Sequence, residues 1–238
     1  MRDSQNSKRN ESICIVMPAL NEQGTINRVV SEVKRSLPGS HILIVDDGSH
    51  KPIKLDSEFP SVRIVRSEKN LGVGSALYIG IKIAVISRYE TIITMDSDGQ
   101  HNPDDLQALL RNSGDYDLVI GSRNMITYPW SKTRLSAHHL LRQILKRKFK
   151  LNLNDPTSGF RLLNAHAAGM VLQEIGDEYL DDTAVLYAKL ANREITIGEV
   201  ECEFKVRDAG APSHQGFRLA IRYITSILRL LLIRGKSR

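Results

Sequence analysis

Residues 90–106 read ETIITMDSDGQHNPDDL, an apolar run that ends in four aspartates. The run up to Met95 carries β-branched residues at buried-strand length and predicts a strand. Asn102 is a good N-cap and Pro103 suits the first helical position, so a helix begins there. Asp104 and Asp105 then sit in its first turn, near the positive end of the helix dipole. Helix capping leaves Asp96 and Asp98 unexplained. They flank Ser97 before any helix starts, and two close carboxylates repel unless a cation lies between them. With Gln100 just beyond, they form a candidate hard-metal site of oxygen ligands, Mg2+ or Mn2+. An acidic turn without a metal is the alternative on these residues alone.

The same strand-to-helix unit recurs on both sides of this stretch. SICIVMPAL reads as a first buried strand. Ile26, Val29, Val30, Val33 and Leu37 follow at helical spacing, and Pro38-Gly39 ends that helix. HILIVDDGS is a second strand, VRIVR a third, and DLVIGSR another after NPDDLQALL. NLGVGSALYIGIKIAV is a glycine-rich turn leading into a helix. The alternation predicts an α/β fold with a mostly parallel central sheet flanked by helices. In such sheets ligands gather at the carboxyl ends of strands. Asn21-Glu22, Asp46-Asp47, Asp96-Asp98 and Arg123 fall there.

After Arg123 the pattern changes. MITYPWSK reads as a loop, and RLSAHHLLRQILKRKFKL as a basic amphipathic helix. Leu140, Leu141, Ile144, Leu145 and Phe149 form its expected apolar face, and His138-His139 is read as surface. Arg142, Lys146, Arg147 and Lys148 crowd its end. DPTSGFRLL follows, then helices to Asn192, and ITIGEVECEFKVR alternates like a strand. The last segment, FRLAIRYITSILRLLLIRGKSR, places Arg218, Arg222, Thr225, Ser226 and Arg229 on one helical face. These arginines argue for a helix lying on a membrane or a partner rather than a span. Residues 1–11 are expected to be a disordered tail, 12–215 the main domain and 216–238 an amphipathic C-terminal helix.

The bulk numbers fit. The 238 residues carry a net charge of +6 with pI near 9.3, which points to an anionic partner. Aromatics make up only 5%, which with the amphipathic patterning disfavours nucleic acid. Two cysteines give no disulfide framework, and the polar N-terminus shows no signal peptide, so a cytoplasmic location is expected.

Taken in order, MPALNE, IVDDGS, NLGVGSAL, MDSDGQHNPDDL, IGSR and DPTSGFR resemble a family 2 glycosyltransferase with the Rossmann-like GT-A fold. The similarity is to its dolichol-phosphate mannose synthase-like branch, which makes polyprenyl-phosphate sugars, and it covers nearly all of residues 12–215. The resemblance implies that Pro18, Ala19, Asn21 and Glu22 line the nucleotide pocket. It gives Asp46 the base or ribose, with Asp47 beside it, and sets Asn70, Gly72 and Gly74 near the nucleotide. Asp96, Asp98 and Gln100 match its metal-binding motif, which His101 completes. Arg123, Arg134 and Ser158 to Arg161 would face the acceptor phosphate and sugar, and Arg207 the phosphates. The late motif departs from the family pattern. It reads RDAGAPSHQG, with one extra residue before Ser213 and His214 in place of a lysine.

The implied reaction is inverting, metal-dependent transfer from a UDP- or GDP-sugar to a polyprenyl phosphate at the cytoplasmic face of a membrane. Arg142, Lys146, Arg147, Lys148, Arg222 and Arg229 would contact the membrane or a membrane-protein partner. Transfer to a glycan or protein hydroxyl is the alternative, with Asp181 or Asp182 as base. A nucleotidyltransferase and a non-catalytic membrane adaptor are further alternatives.

Overall fold

The computed structural model describes residues 12–124, 128, 131–175, 182–193, 195–205 and 217–235. Seven strands form one sheet: β1 (Ile13–Ala19), β2 (His41–Asp46), β3 (Val62–Arg66), β4 (Thr91–Thr94), β5 (Leu118–Arg123), β6 (Arg161–Asn164) and β7 (Ile197–Cys202). The helices are α1 (Gln23–Ser36), α2 (Val73–Ile86), α3 (Leu106–Asn112), α4 (Lys132–Phe149), α5 (Ala165–Ile175), α6 (Thr183–Leu190) and α7 (Phe217–Leu232). The strand order is β3-β2-β1-β4-β6-β5-β7. The predicted strands from β1 to β5 and β7 are all present, and every pairing among them is parallel.

Sequence reasoning missed β6. It is four residues long, runs antiparallel, and is inserted between β4 and β5. Four residues do not establish a period, and only its two neighbours specify it as a strand.

Alternation along β1 shows how the sheet is sandwiched. Ile13, Ile15 and Met17 pack with Ile26, Val29 and Val33 of α1 and Leu106 and Leu109 of α3. Cys14 and Val16 face the other way, toward Ala76, Ile81 and Ala84 of α2 and Tyr187 of α6. Gly80 lets α2 sit directly on the sheet, since a Cβ there would lie 2.3 Å from a Val16 methyl. A third cluster joins α4, α6 and α7 through Leu141, Leu145, Phe149, Val185, Ala188 and Leu230.

The chain runs outward from β1 to β2 and β3, then returns to β4 on the other side of β1. The order therefore reverses beside β1, the switch point at which open α/β sheets bind ligands in the crevice beyond the carboxyl ends of the strands, here β1 and β4. The Asn21 and Asp96–Asp98 loops leave the sheet there. Among the described residues, no helix is long and apolar enough to cross a membrane.

Candidate active site

The loop after β1 is held in a costly conformation. Asn21 has φ 60°, the left-handed region that L-residues other than Asn and Asp rarely occupy. Its N–H donates to Ser49 Oγ (2.8 Å), and its Oδ1 accepts from His50 N (2.9 Å). Pro18 and Ala19 are buried at the strand end, and Pro18 O accepts from Ser97 Oγ (2.8 Å). Thr25 Oγ1 lies within reach of Ser97 O (3.0 Å) and of the Glu22 carboxylate (2.9 Å). The first loop is thereby tied to the aspartate loop.

Asp46 and Asp47 are buried, and each already has donors. Asp46 accepts from Ser49 N (2.9 Å) and Ile53 N (3.2 Å) and pairs with Arg66 at 2.6 Å. Burial would raise its pKa, but these bonds outweigh burial and hold it below the usual carboxylate range. Asp46, expected at the base or ribose, is held in its turn by these bonds, and Arg66 is a partner that sequence reasoning missed. Asp47 accepts from Leu71 N and Gly72 N, both at 2.8 Å. Asn70 Oδ1 also accepts from Gly72 N (2.9 Å), and Gly74 is buried in the first turn of α2. Gly48 permits this junction: its φ is +72°, and a Cβ would meet the Lys69 carbonyl carbon at 2.5 Å.

Asp96 and Asp98 stand at the end of β4. The Asp96 side chain is 42% exposed, while Asp98 is buried. Asp98 Oδ1 accepts from Gln100 N (3.0 Å). The Gln100 side chain turns toward Lys205 O (3.5 Å), with the backbone bond Lys205 N to Gln100 O (2.8 Å) beside it. Among the described residues, no group of three or more His, Cys, Asp or Glu side chains is placed to hold a metal. Two oxygen-bearing carboxylates, one of them open, still fit Mg2+ or a similar ion that completes its shell with waters and substrate phosphates.

His101 has a clear structural role. Its ring stacks on Phe160 (4.9 Å) and meets Phe204 edge-on (5.0 Å). Burial lowers its pKa to about 4 against the opposing charge of Asp98, so the ring is neutral at pH 7. Its Nδ1 accepts from Asp96 N (3.0 Å), which places the ring proton on Nε2, 3.6 Å from Asp96 Oδ2. His101 thus holds the Asp96 backbone in place.

The arginine side of the crevice is built around Asp155. Arg123 donates to it through Nε (2.5 Å) and Nη2 (2.9 Å), and Nη2 also meets Thr157 Oγ1 (2.7 Å). Burial would raise the Asp155 pKa, but the Arg123 charge and bonds from His138 and Arg123 hold it well below the usual range. His138 was expected on the surface. It is 0% exposed, with Nε2 3.3 Å from Asp155 Oδ1. The buried face of α4 is His138, Leu141, Leu145 and Phe149, while Leu140 points outward. The 3-4-4 spacing of that set is legible in the sequence, but its polar first member, His138, does not mark it as a buried face.

Ser158 is buried, donating to Gly121 O (2.5 Å) and accepting from Phe160 N (3.2 Å). Arg161 lies opposite Thr94 in register, just before the aspartate loop. It is 6% exposed, its guanidinium is 6.0 Å from the Tyr187 ring, and its Nε has no hydrogen-bond partner among the described residues. Arg134 stands in the first turn of α4. Asp182 caps α6, its Oδ1 accepting from Val185 N (3.3 Å). Arg207, Ser213, His214 and Asp181 lie outside the described residues.

β7 and its extension fasten these loops through an alternating acidic row. Glu199 accepts from Asn154 N and Asp155 N, both at 2.7 Å. Glu201 accepts from Asn124 Nδ2 (2.7 Å) and Glu203 from Asn102 Nδ2 (3.1 Å). The period-2 alternation of GEVECE was visible in the sequence, but its bonding partners were not.

Of the basic residues expected to face a membrane, Lys146, Arg147 and Arg229 are exposed. Arg142 donates to Leu153 O (2.9 Å) and Asn154 Oδ1 (2.8 Å). Lys148 donates to Leu230 O (3.0 Å) and Leu231 O (2.5 Å), capping the end of α7. These two cations bind the protein's own carbonyls, which a lone helix reading could not show.

The profile of the family Glycosyl transferase family 2 matches residues 14–169. The undecaprenyl-phosphate mannosyltransferase of Micrococcus luteus is 28% identical over 219 residues, covering 86% of this chain and 88% of the relative. The polyprenol monophosphomannose synthase of Mycolicibacterium smegmatis is 27% identical over 221 residues, covering 85% and 80%. Among solved structures, glucosyl-3-phosphoglycerate synthase from Mycobacterium tuberculosis, in complex with Mn2+, UDP and glucosyl-3-phosphoglycerate, superposes with a TM-score of 0.69. Identity there is 19%, with 95% of this chain and 81% of that one covered.

Proposed function

The chain belongs to glycosyl transferase family 2, in its dolichol-phosphate mannose synthase-like branch, and from that premise we propose that it moves a sugar from a nucleotide-sugar to a polyprenyl phosphate. The observation that carries the acceptor choice is Arg161. A guanidinium 6% exposed, with an unpartnered Nε and no carboxylate ion pair among the described residues, is costly unless an anion completes it. Arg123 is held by Asp155, and Arg134 and Arg123 both lie near enough to Tyr223 for their charges to act on it. A phosphate acceptor satisfies the Arg161 donor, matches guanidinium geometry and, being ionised near neutral pH, needs no general base.

In the reaction, a phosphate oxygen of the acceptor forms a bond to the anomeric carbon. The bond from that carbon to the donor's diphosphate breaks, and the nucleoside diphosphate leaves with the electron pair. One displacement inverts the anomeric centre. Asp96 and Asp98 would hold a divalent cation, Mg2+ or Mn2+, which would supply charge stabilisation for the departing diphosphate. The Asn21, Asp47 and Asn70–Gly74 loops cradle the nucleotide. Asp46 and Arg66 keep that cradle in shape, while His101 holds the Asp96 backbone. The acceptor is a lipid, so the enzyme works peripherally at a membrane, on its cytoplasmic face.

The test is incubation of the purified protein with radiolabelled UDP- and GDP-sugars, a polyprenyl phosphate, and Mg2+ or Mn2+, with and without EDTA. Metal-dependent label in the organic phase from one donor supports the reading and names sugar and nucleotide together. Nucleotide binding without lipid label from any donor overturns it in favour of a hydroxyl acceptor.

A further inference from the structure

α7 packs on α4 and α6 through Tyr223, Ile227, Leu230 and Ile233. A second apolar row remains on its outside. Ile221, Ile224, Leu228, Leu231 and Leu232 recur at helical spacing and are all exposed, Leu228 at 55% and Leu232 at 86%. Leu140 of α4 is exposed too, at 48%. Between the helices lies an open groove of about 380 Å³, lined by Leu140, Ile144 and Leu231 with Arg147 and Lys148. Contiguous exposed aliphatic surface of this kind marks a binding face.

Charge selects the occupant. Neither α4 nor α7 contains an aspartate or glutamate. Lys146, Arg147 and Arg229 are exposed on these helices, and Arg234 just beyond α7. An aliphatic row on helices that carry cations and no acidic residue fits an anionic bilayer surface, with leucines in the acyl boundary and cations among headgroups. On the packed side of the same helix, Tyr223 lies near Arg134 and Arg123. Burial raises the Tyr223 pKa while the charges of Arg134 and Arg123 pull it back, so α7 passes beside them.

We propose that the outer face of α7, with Leu140 and the exposed cations of α4, is a docking surface for an anionic lipid bilayer, seated so that a membrane-borne phosphate reaches the arginine side of the crevice. This deepens the proposed reaction and rests on it for its purpose, but vesicle binding is measured apart from transfer.

The test is co-sedimentation of the full chain with vesicles of phosphatidylcholine, with or without 30 mol% phosphatidylglycerol. Wild type is expected to bind the anionic vesicles more tightly and to release them as salt rises. Each basic side chain near such a surface contributes about fivefold, so Lys146→Gln/Arg147→Gln weakens binding by about 25-fold. Leu228→Ser/Leu231→Ser is expected to weaken it by about tenfold or more. Both double variants should keep the wild-type melting temperature and transfer to a short, water-soluble prenyl phosphate at the wild-type rate. Wild type that ignores anionic vesicles, or variants that bind as wild type does, overturns the proposal. So does a solution dimer that the leucine variant dissolves without any vesicle binding. Normal vesicle binding without transfer to the soluble acceptor would leave the surface standing and sink the reaction.

Discussion

Asp155→Asn replaces the buried hub of the arginine cluster with a neutral group of nearly the same shape. The Arg123 side chain is 17% exposed and Asp155 0%, so the pair is little screened. The substitution leaves the Arg123 charge buried without its counter-ion and takes an acceptor from His138 and Thr157. Breaking a buried pair from one side destabilises by about 3–5 kcal/mol. At about 2–4 °C per kcal/mol for a domain of this size, melting should fall by roughly 6–20 °C. The pH dependence has a definite sign. Asp155 has a depressed folded pKa, so its contribution is complete above the unfolded value of about 3.9 and is lost as pH falls through the lower folded value. Urea unfolding at pH 5, 6, 7 and 8 should therefore give one constant difference between wild type and variant, which narrows only below about pH 4. A difference under about 1 kcal/mol, or one that changes steadily between pH 5 and 8, would refute the buried-pair reasoning.

Asp98→Asn should lower kcat by about 100-fold or more while nucleotide binding persists, because charge stabilisation of the leaving diphosphate is lost; label transfer and isothermal titration with nucleotide check this. Arg161→Met should cost about 2 kcal/mol in acceptor kcat/KM, roughly 30-fold, with donor binding unchanged; acceptor titration at saturating donor reads it. Gly80→Ala should destabilise by about 1–3 kcal/mol by driving a methyl into Val16, seen in the urea midpoint.

Much of this protein was legible in its sequence. Buried strands ending in Asn21-Glu22, Asp46-Asp47 and Asp96-Asp98 announce a parallel α/β sheet with a site at its carboxyl edge, because strand and helix periods and cap residues are local properties. The chain itself also carries Asn102 as the cap of a turn over Pro103–Asp105. Tertiary structure decided what non-local partners decide. β6 exists only between β4 and β5, too short to carry its own period. Asp46 faces Arg66 rather than open space because β2 and β3 pair in that register. His138 is buried because α4 turns it onto a loop that lies 17 residues on, and Lys148 binds carbonyls 82 and 83 residues away. A side chain's charge and size are written in the sequence, but whether water, a carboxylate or a carbonyl surrounds it is settled only when distant segments meet.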